Sequence, residues 1–198
     1  MTENLINTND IAALVALDEE ALQERFCWID WRSEEREVVE GFSEYMTAED
    51  ALTCADEDDA RTVVWRGEAH AIPLTGTGSD RYVMIHSVAE IVKDRYTVWG
   101  DADSIGGSDT HGFLILSNAV SDALIAQHPA WVAQHLRRLD PGMDEFNGIR
   151  VPWLGHERHN PDFARDRAAL QDQQTELKRM VAEALDAGVK KKPFWKFW

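Results

Sequence analysis

The stretch Tyr96–Ser117 reads YTVWGDADSIGGSDTHGFLILS and contains the clearest pair of strands in the chain. Its two ends, YTVWG and GFLILS, are rich in β-branched and aromatic residues, which is typical of strands. The polar loop between them carries adjacent glycines at 106 and 107, which adopt the positive φ angles of tight turns easily. The stretch therefore predicts two strands joined by a turn.

A strand followed by a helix is predicted upstream, over residues 26–46. FCWIDW alternates as strands do, with Phe26, Trp28 and Asp30 on one face, and its bulk on both faces predicts a central, buried strand. Ser33 is expected to cap the helix SEEREVVEGFSEYM. The apolar residues of this helix form one stripe, and its acids lie outside that stripe and face water: Glu34, Glu37, Glu40 and Glu44.

The remaining patterns predict an α+β domain. Helices are expected near residues 8–26, 80–94, 117–128 and 129–139, and a long C-terminal helix is expected from Asn160 to about Ala187. A short strand pair is expected within 63–74. Together these elements predict a small, mostly antiparallel sheet of three to five strands packed with five or six helices. Residues 1–189 are predicted to be a single domain, followed by a basic, aromatic tail at 190–198.

The net charge of −16 is unevenly distributed along the chain. Between Glu3 and Asp59 there are eighteen acidic residues and three basic ones, a net charge of −15. This balance argues against nucleic-acid binding, which needs a basic footprint. It favours a protein partner with a basic surface, although acidic residues also serve solubility alone.

The cysteine content and the hydropathy predict a cytoplasmic protein. Cys27 and Cys54 lie 27 positions apart, without a CxxC or other zinc spacing, which is typical of a reducing compartment. The start MTENLINTND does not resemble a signal peptide, and no apolar run approaches the ~20 residues of a transmembrane helix.

The loop between the two predicted strands is the main candidate for a site. Its Asp101, Asp103, Asp109 and His111 could together bind a divalent metal ion, for which carboxylates are suitable ligands. The EF-hand pattern fails, because Ile105 stands at its fifth position. The favoured interpretation is a turn without metal or other cofactor.

A combined site would form if three features met at one end of the sheet. These are the loop, the Asp30/Arg32 pair after the first strand, and the helix start after the glycine-rich TGTGS at 75–79. The glycine-rich segment lacks the lysine and the spacing of nucleotide-binding loops. Histidines have no serine or cysteine partner at a recognisable spacing, so no catalytic residue is assigned and the chain is not predicted to be an enzyme.

The C-terminal tail KKKPFWKFW combines four lysines with four aromatic residues. Exposed aromatic residues such as Trp195 and Trp198 are typical of a contact surface, and three alternatives exist for what they contact. The tail can dock on the acidic first third of its own chain, on a partner protein, or on a membrane interface.

FCWIDWRSEEREVVEGF, GSDTHGFLILS and KPFWKFW together resemble small uncharacterised acidic bacterial proteins, some of them similar to toxin-immunity proteins. The resemblance implies a soluble cytoplasmic α+β protein that acts by binding. The function we expect is therefore non-catalytic protein–protein binding, immunity-like or adaptor-like. One alternative is a metal-dependent hydrolase that uses the 101–111 loop, and a second is a peripheral membrane protein held by its tail.

Overall fold

The structure is a computed structural model and describes residues 6, 10–30, 32–55, 61–105, 108–140, 145–146, 149–150, 152–154, 175–176 and 179–180. The chain divides into two compact units, Met1–His159 and Asn160–Trp198. Every named helix and strand of the described residues lies in the first unit. The boundary predicted between residues 189 and 190 lies outside the described residues.

An antiparallel four-stranded sheet is the centre of the first unit, with the order β1–β6–β5–β7. The predicted pair is confirmed as β5 (Tyr96–Asp101) and β6 (His111–Ser117), aligned with Tyr96 opposite Ser117 and Gly100 opposite Phe113. Gly100 leaves room here for the Ile105 side chain from the connecting loop, which a Cβ at that position would displace.

Strand β1 (Cys27–Ile29) lies at one edge of this sheet, next to β6. The prediction of a central, buried strand was therefore wrong: Ile29 is buried, but Trp28 is 39% exposed. Two large residues on opposite faces indicated burial on both sides. The outer face of an edge strand can leave its aromatic residue exposed.

Strand β7 (Leu136–Arg138) forms the opposite edge and pairs with β5, with Leu136 opposite Asp101. These residues were predicted to continue the preceding helix. Helix α6 (Pro129–His135) instead ends before them, and Leu136 begins extended backbone at φ −124° and ψ 141°. Pairing with β5 thus overrides the local helical preference of the stretch.

Helix α3 (Glu35–Ser43) packs its apolar stripe on the sheet, as predicted. Val38, Val39 and Phe42 are buried, and the Phe42 ring lies 5.5 Å from that of Phe113 on β6. The helix begins one residue later than predicted: Glu34 is the N-cap and forms a capping box with Glu37.

Helix α4 (Asp80–Val92) is buried along its whole length. One side packs on the sheet, where the Tyr82 ring lies 5.8 Å from His111. The segment after β7 also packs on α4: the Phe146 ring lies 5.4 Å from His86 and 5.3 Å from His111 of the sheet, and the Leu154 N–H donates to the Ser87 hydroxyl. Phe146 belongs to β8 (Glu145–Phe146), which pairs with β9 (Ile149–Arg150).

A smaller antiparallel sheet is formed by β2 (Thr53–Cys54), β3 (Thr62–Trp65) and β4 (Glu68–Ala71), which confirms the predicted strand pair. The buried Asp50 ties it to the main sheet. Its carboxylate accepts a hydrogen bond from the Tyr96 hydroxyl at 2.9 Å and pairs with Arg95 at 3.0 Å, while its carbonyl accepts from the Trp65 indole.

Three of the other helices begin where the sequence indicated, whereas the first helix begins at Ile11 rather than Thr8. Asp18 caps α2 (Glu19–Gln23), which follows the short α1 (Ile11–Val15). The Ser117 hydroxyl caps α5 (Asn118–Gln127), and Pro129 opens α6. Helix α5 covers the sheet face opposite α3 and α4, since the Trp99 indole of β5 donates to the Ser121 hydroxyl at 3.1 Å.

The predicted α+β class with antiparallel sheets is confirmed for the described residues. The long C-terminal helix lies largely outside them; the described residues 175–176 and 179–180 are helical. Among the described residues, no helix has the length and apolarity needed to cross a membrane.

Candidate functional site at the end of the four-stranded sheet

Asp30 and the loop between β5 and β6 do come together. The register of β1 and β6, which places Ile29 opposite His111, carries on by one residue, and the Thr110 hydroxyl donates to the Asp30 carboxylate at 3.0 Å. The Arg32 N–H donates to the other carboxylate oxygen at 2.8 Å. This backbone hydrogen bond is the main reason that the pKa of Asp30 lies below its ordinary value.

Asp101 shapes the turn from within. Its carboxylate is buried and accepts the Ser104 N–H at 2.9 Å, and its carbonyl accepts the Ser104 hydroxyl at 3.2 Å. The Gly112 N–H donates to the same hydroxyl oxygen at 3.1 Å, so the turn is joined to the start of β6. Asp103 and Asp109, by contrast, are exposed.

His111 points to the opposite face of the sheet from Trp28 and is completely buried. Its Nδ1 lies 3.1 Å from the Ser104 carbonyl, which can only accept, so Nδ1 carries the proton. Its Nε2 then accepts from the Tyr82 hydroxyl at 3.3 Å, and that oxygen accepts from Arg81 at 2.6 Å. Burial is the main cause that lowers the pKa of His111, which keeps the ring neutral.

The four side chains of the alternative metal site are therefore divided between two environments. His111 lies in the core with its ring nitrogens in hydrogen bonds, whereas Asp103 and Asp109 face outward. Among the described residues, no group of three or more histidine, cysteine, aspartate and glutamate side chains is placed to hold a metal ion. The hydrolase alternative has no geometric support in this part of the chain.

The glycine-rich segment before α4 binds an anion that belongs to the chain itself. The Asp80 carboxylate accepts hydrogen bonds from the Thr75 N–H at 2.7 Å, the Thr75 hydroxyl at 2.6 Å and the Gly76 N–H at 2.6 Å. Asp80 thus satisfies N–H groups of the glycine-rich loop that could otherwise bind an external anion.

Helices α2 and α3, which precede and follow β1 in the chain, carry exposed carboxylates. We call this set of residues the acidic face: Glu19, Glu20, Glu24, Glu34, Glu37, Glu40 and Glu44. Contacts near β1 link the two helices, because the Tyr45 hydroxyl after α3 donates to the Arg25 carbonyl after α2. Burial, with the charge of Glu44 adding to it, raises the pKa of the Cys27 thiol to about 12.

Trp28 is the site residue that the sequence prediction placed wrongly. Its position two residues before Asp30 puts both side chains on one face of β1, and that polar neighbour was the available signal of exposure. The tail residues Trp195 and Trp198 lie outside the described residues, so their role stays a prediction.

Comparisons of the chain with protein-family models, with curated proteins and with solved structures found no match. The function is therefore inferred from the residues of this chain. The arrangement at this end of the sheet offers exposed carboxylates and an exposed indole on the outside, and a neutral, buried histidine on the inside.

Proposed function

We propose that this protein acts by binding a partner protein with a basic surface, in the manner of an immunity or adaptor protein. The observation that carries the proposal is the acidic face of α2 and α3. Seven glutamates are exposed there, and α3 holds its apolar residues in the core. Arg36 on α3 is also exposed and pairs with Glu40, but the balance is strongly negative. An excess of exposed charges of one sign speeds the encounter with an oppositely charged partner and excludes wrong ones.

The buried polar groups support binding rather than catalysis. His111 is the residue of the loop that is best suited to proton transfer, and it has no exposed surface. A general base must reach the proton that it removes. A histidine with both nitrogens in internal hydrogen bonds serves the packing of the core instead.

A charge-reversal experiment tests the proposal. Glu34 and Glu37 are unsuitable because their capping box holds the start of α3. The test variant carries Glu24→Lys, Glu40→Lys and Glu44→Lys, all near helix C-termini, where a lysine is compatible with the helix dipole. The control variant carries Glu68→Lys, Asp94→Lys and Asp122→Lys, which changes the net charge equally at exposed acids elsewhere.

Tagged protein is expressed in its native host, and the proteins that it retains are quantified by mass spectrometry. We expect a stoichiometric partner with a basic surface that wild type and control variant retain and that the test variant loses. Its retention should also fall as salt is raised, because exposed charges are screened. A partner that all three variants retain equally, or no stoichiometric partner at all, would contradict the proposal.

A further inference from the structure

The indole of Trp28 is exposed yet held in one position. Trp28 is 39% exposed, and its Nε1–H donates to the Gln23 carbonyl at 2.9 Å. The Phe26 ring meets it edge-on, with the ring centres 6.0 Å apart. A large aromatic side chain that is already ordered loses little conformational entropy when it is covered by a partner.

The strand next to β1 has a glycine where the indole lies. A Cβ at Gly112 would be 3.0 Å from the Trp28 ring and 3.2 Å from the Asp101 Cβ, so a side chain there would push the ring away. Gly112 therefore allows the indole to lie across β6, beside Asp101. The aromatic surface is part of the sheet rather than of a loop.

Carboxylates border this aromatic surface. Asp30 projects from the same face of β1 and is held by the Arg32 N–H and the Thr110 hydroxyl, so its charge has a fixed position. Glu24 is exposed next to Gln23, the residue to which the indole is hydrogen-bonded. An ordered indole beside an ordered carboxylate is suited to a cationic side chain.

We infer that Trp28 and Asp30 together receive an arginine side chain from a basic segment of the partner protein. The inference rests on the proposed function and names the contact that would anchor the partner. The planar guanidinium stacks on an indole and at the same time donates to a carboxylate, which a lysine ammonium does less well. The net charge of −15 between Glu3 and Asp59 attracts such a segment to this surface.

The test uses two peptides, hexa-arginine and hexalysine, and isothermal titration calorimetry with the full chain. We expect wild type to bind hexa-arginine about threefold more tightly than hexalysine, and Trp28→Ala to weaken hexa-arginine binding about fivefold. In Trp28→Ala the preference between the two peptides should vanish. Asp30→Asn should weaken hexa-arginine binding by a similar factor, because a charged acceptor is lost.

Ile125→Ala is the matched control, because Ile125 is an exposed apolar residue of similar exposure, 37%, on α5. It should bind both peptides as wild type does. If Trp28→Ala fails to fold by circular dichroism, Trp28→Phe and the ring-carbon NMR signals of Trp28 in the wild type replace it. Hexa-arginine should then shift those ring signals more than hexalysine does.

The outcomes separate this inference from the proposed function. If Trp28→Ala and Ile125→Ala bind hexa-arginine equally while the Glu24/Glu40/Glu44 charge reversal abolishes binding, the arginine site is wrong and the acidic face stands. If that charge reversal and the Glu68/Asp94/Asp122 control variant lose the same affinity for hexa-arginine, the binding is non-specific and both proposals fail. Equal affinity of wild type for the two peptides also overturns the arginine site.

Discussion

Helices α3 and α4 both begin with an acidic residue and both pack on the same sheet, yet they use their charges differently. On α3 the charged residues lie outside the apolar stripe, and Glu34, Glu37 and Glu40 are exposed. On α4 the charged residues Asp80, Arg81 and Glu90 are buried with the rest of the helix. The comparison indicates that the charges of α4 are enclosed in the fold, whereas those of α3 lie at the surface, where Glu34 and Glu37 form a capping box and Glu40 pairs with Arg36.

The largest loss of stability is expected from a substitution at the N-terminus of α4. Asp80→Ala removes a buried carboxylate that satisfies two N–H groups and one hydroxyl, so we expect the free energy of unfolding to fall by about 3 kcal/mol. The free energy of unfolding should fall by less in Asp80→Asn, since the amide oxygen can still accept a hydrogen bond. Urea unfolding measures both, and an Asp80→Ala variant as stable as wild type would refute a structural role.

The buried chain of hydrogen bonds through Tyr82 should show the next largest effect. Tyr82→Phe removes the hydroxyl between Arg81 and His111, and we expect a loss of about 2 kcal/mol in the free energy of unfolding. Tyr45→Phe is the matched control, because Tyr45 is as buried as Tyr82 but its hydroxyl donates to a backbone carbonyl, that of Arg25, rather than joining two side chains. Losses of equal size in the two variants would contradict the special position of Tyr82.

Acid should destabilise the protein through His111. Because the pKa of His111 is lowered in the folded chain, the unfolded chain takes up the proton first as the pH falls below about 6.5. The free energy of unfolding is thus highest above the pKa that His111 has in the unfolded chain. It decreases, by at most about 1.4 kcal/mol per pH unit, as the pH falls toward the lowered pKa that His111 has in the folded chain.

Urea unfolding at pH values from about 7.5 to about 5.5, where histidine titrates, measures how the free energy of unfolding changes with pH. We expect His111→Gln to show a shallower slope than wild type, whatever its stability at pH 7.5. Parallel slopes would mean that His111 is not held neutral in the folded chain.

The N-terminus of α3 should show the smallest change in stability. Glu34→Ala removes the half of the exposed capping box in which the Glu34 side chain accepts from the Glu37 N–H, and we expect a loss of about 1 kcal/mol, well below that of Asp80→Ala. The same urea experiment applies. A larger loss than at Asp80 would reverse the comparison between the two helices.

Local patterns predicted α3, β5 and β6 because each has a clear apolar period and a turn or polar residue at its end. Local patterns failed where pairing with a neighbouring strand determines the secondary structure or the position of a strand in the sheet. Leu136 pairs with Asp101 and leaves the helix, and β1 takes an edge position that its own residues do not encode. The faces that the site residues occupy depend on the register in the same way, since the pairing of β1 with β6 puts His111 and Trp28 on opposite faces of the sheet.

One measurement tests the acidic face most directly: the affinity of the Glu24→Lys/Glu40→Lys/Glu44→Lys variant for hexa-arginine, together with its free energy of unfolding. We predict that the affinity falls at least tenfold below that of the matched control variant, while the free energy of unfolding stays within about 1 kcal/mol of wild type. An affinity equal to that of the control variant, or a loss of binding explained by unfolding, would contradict the account.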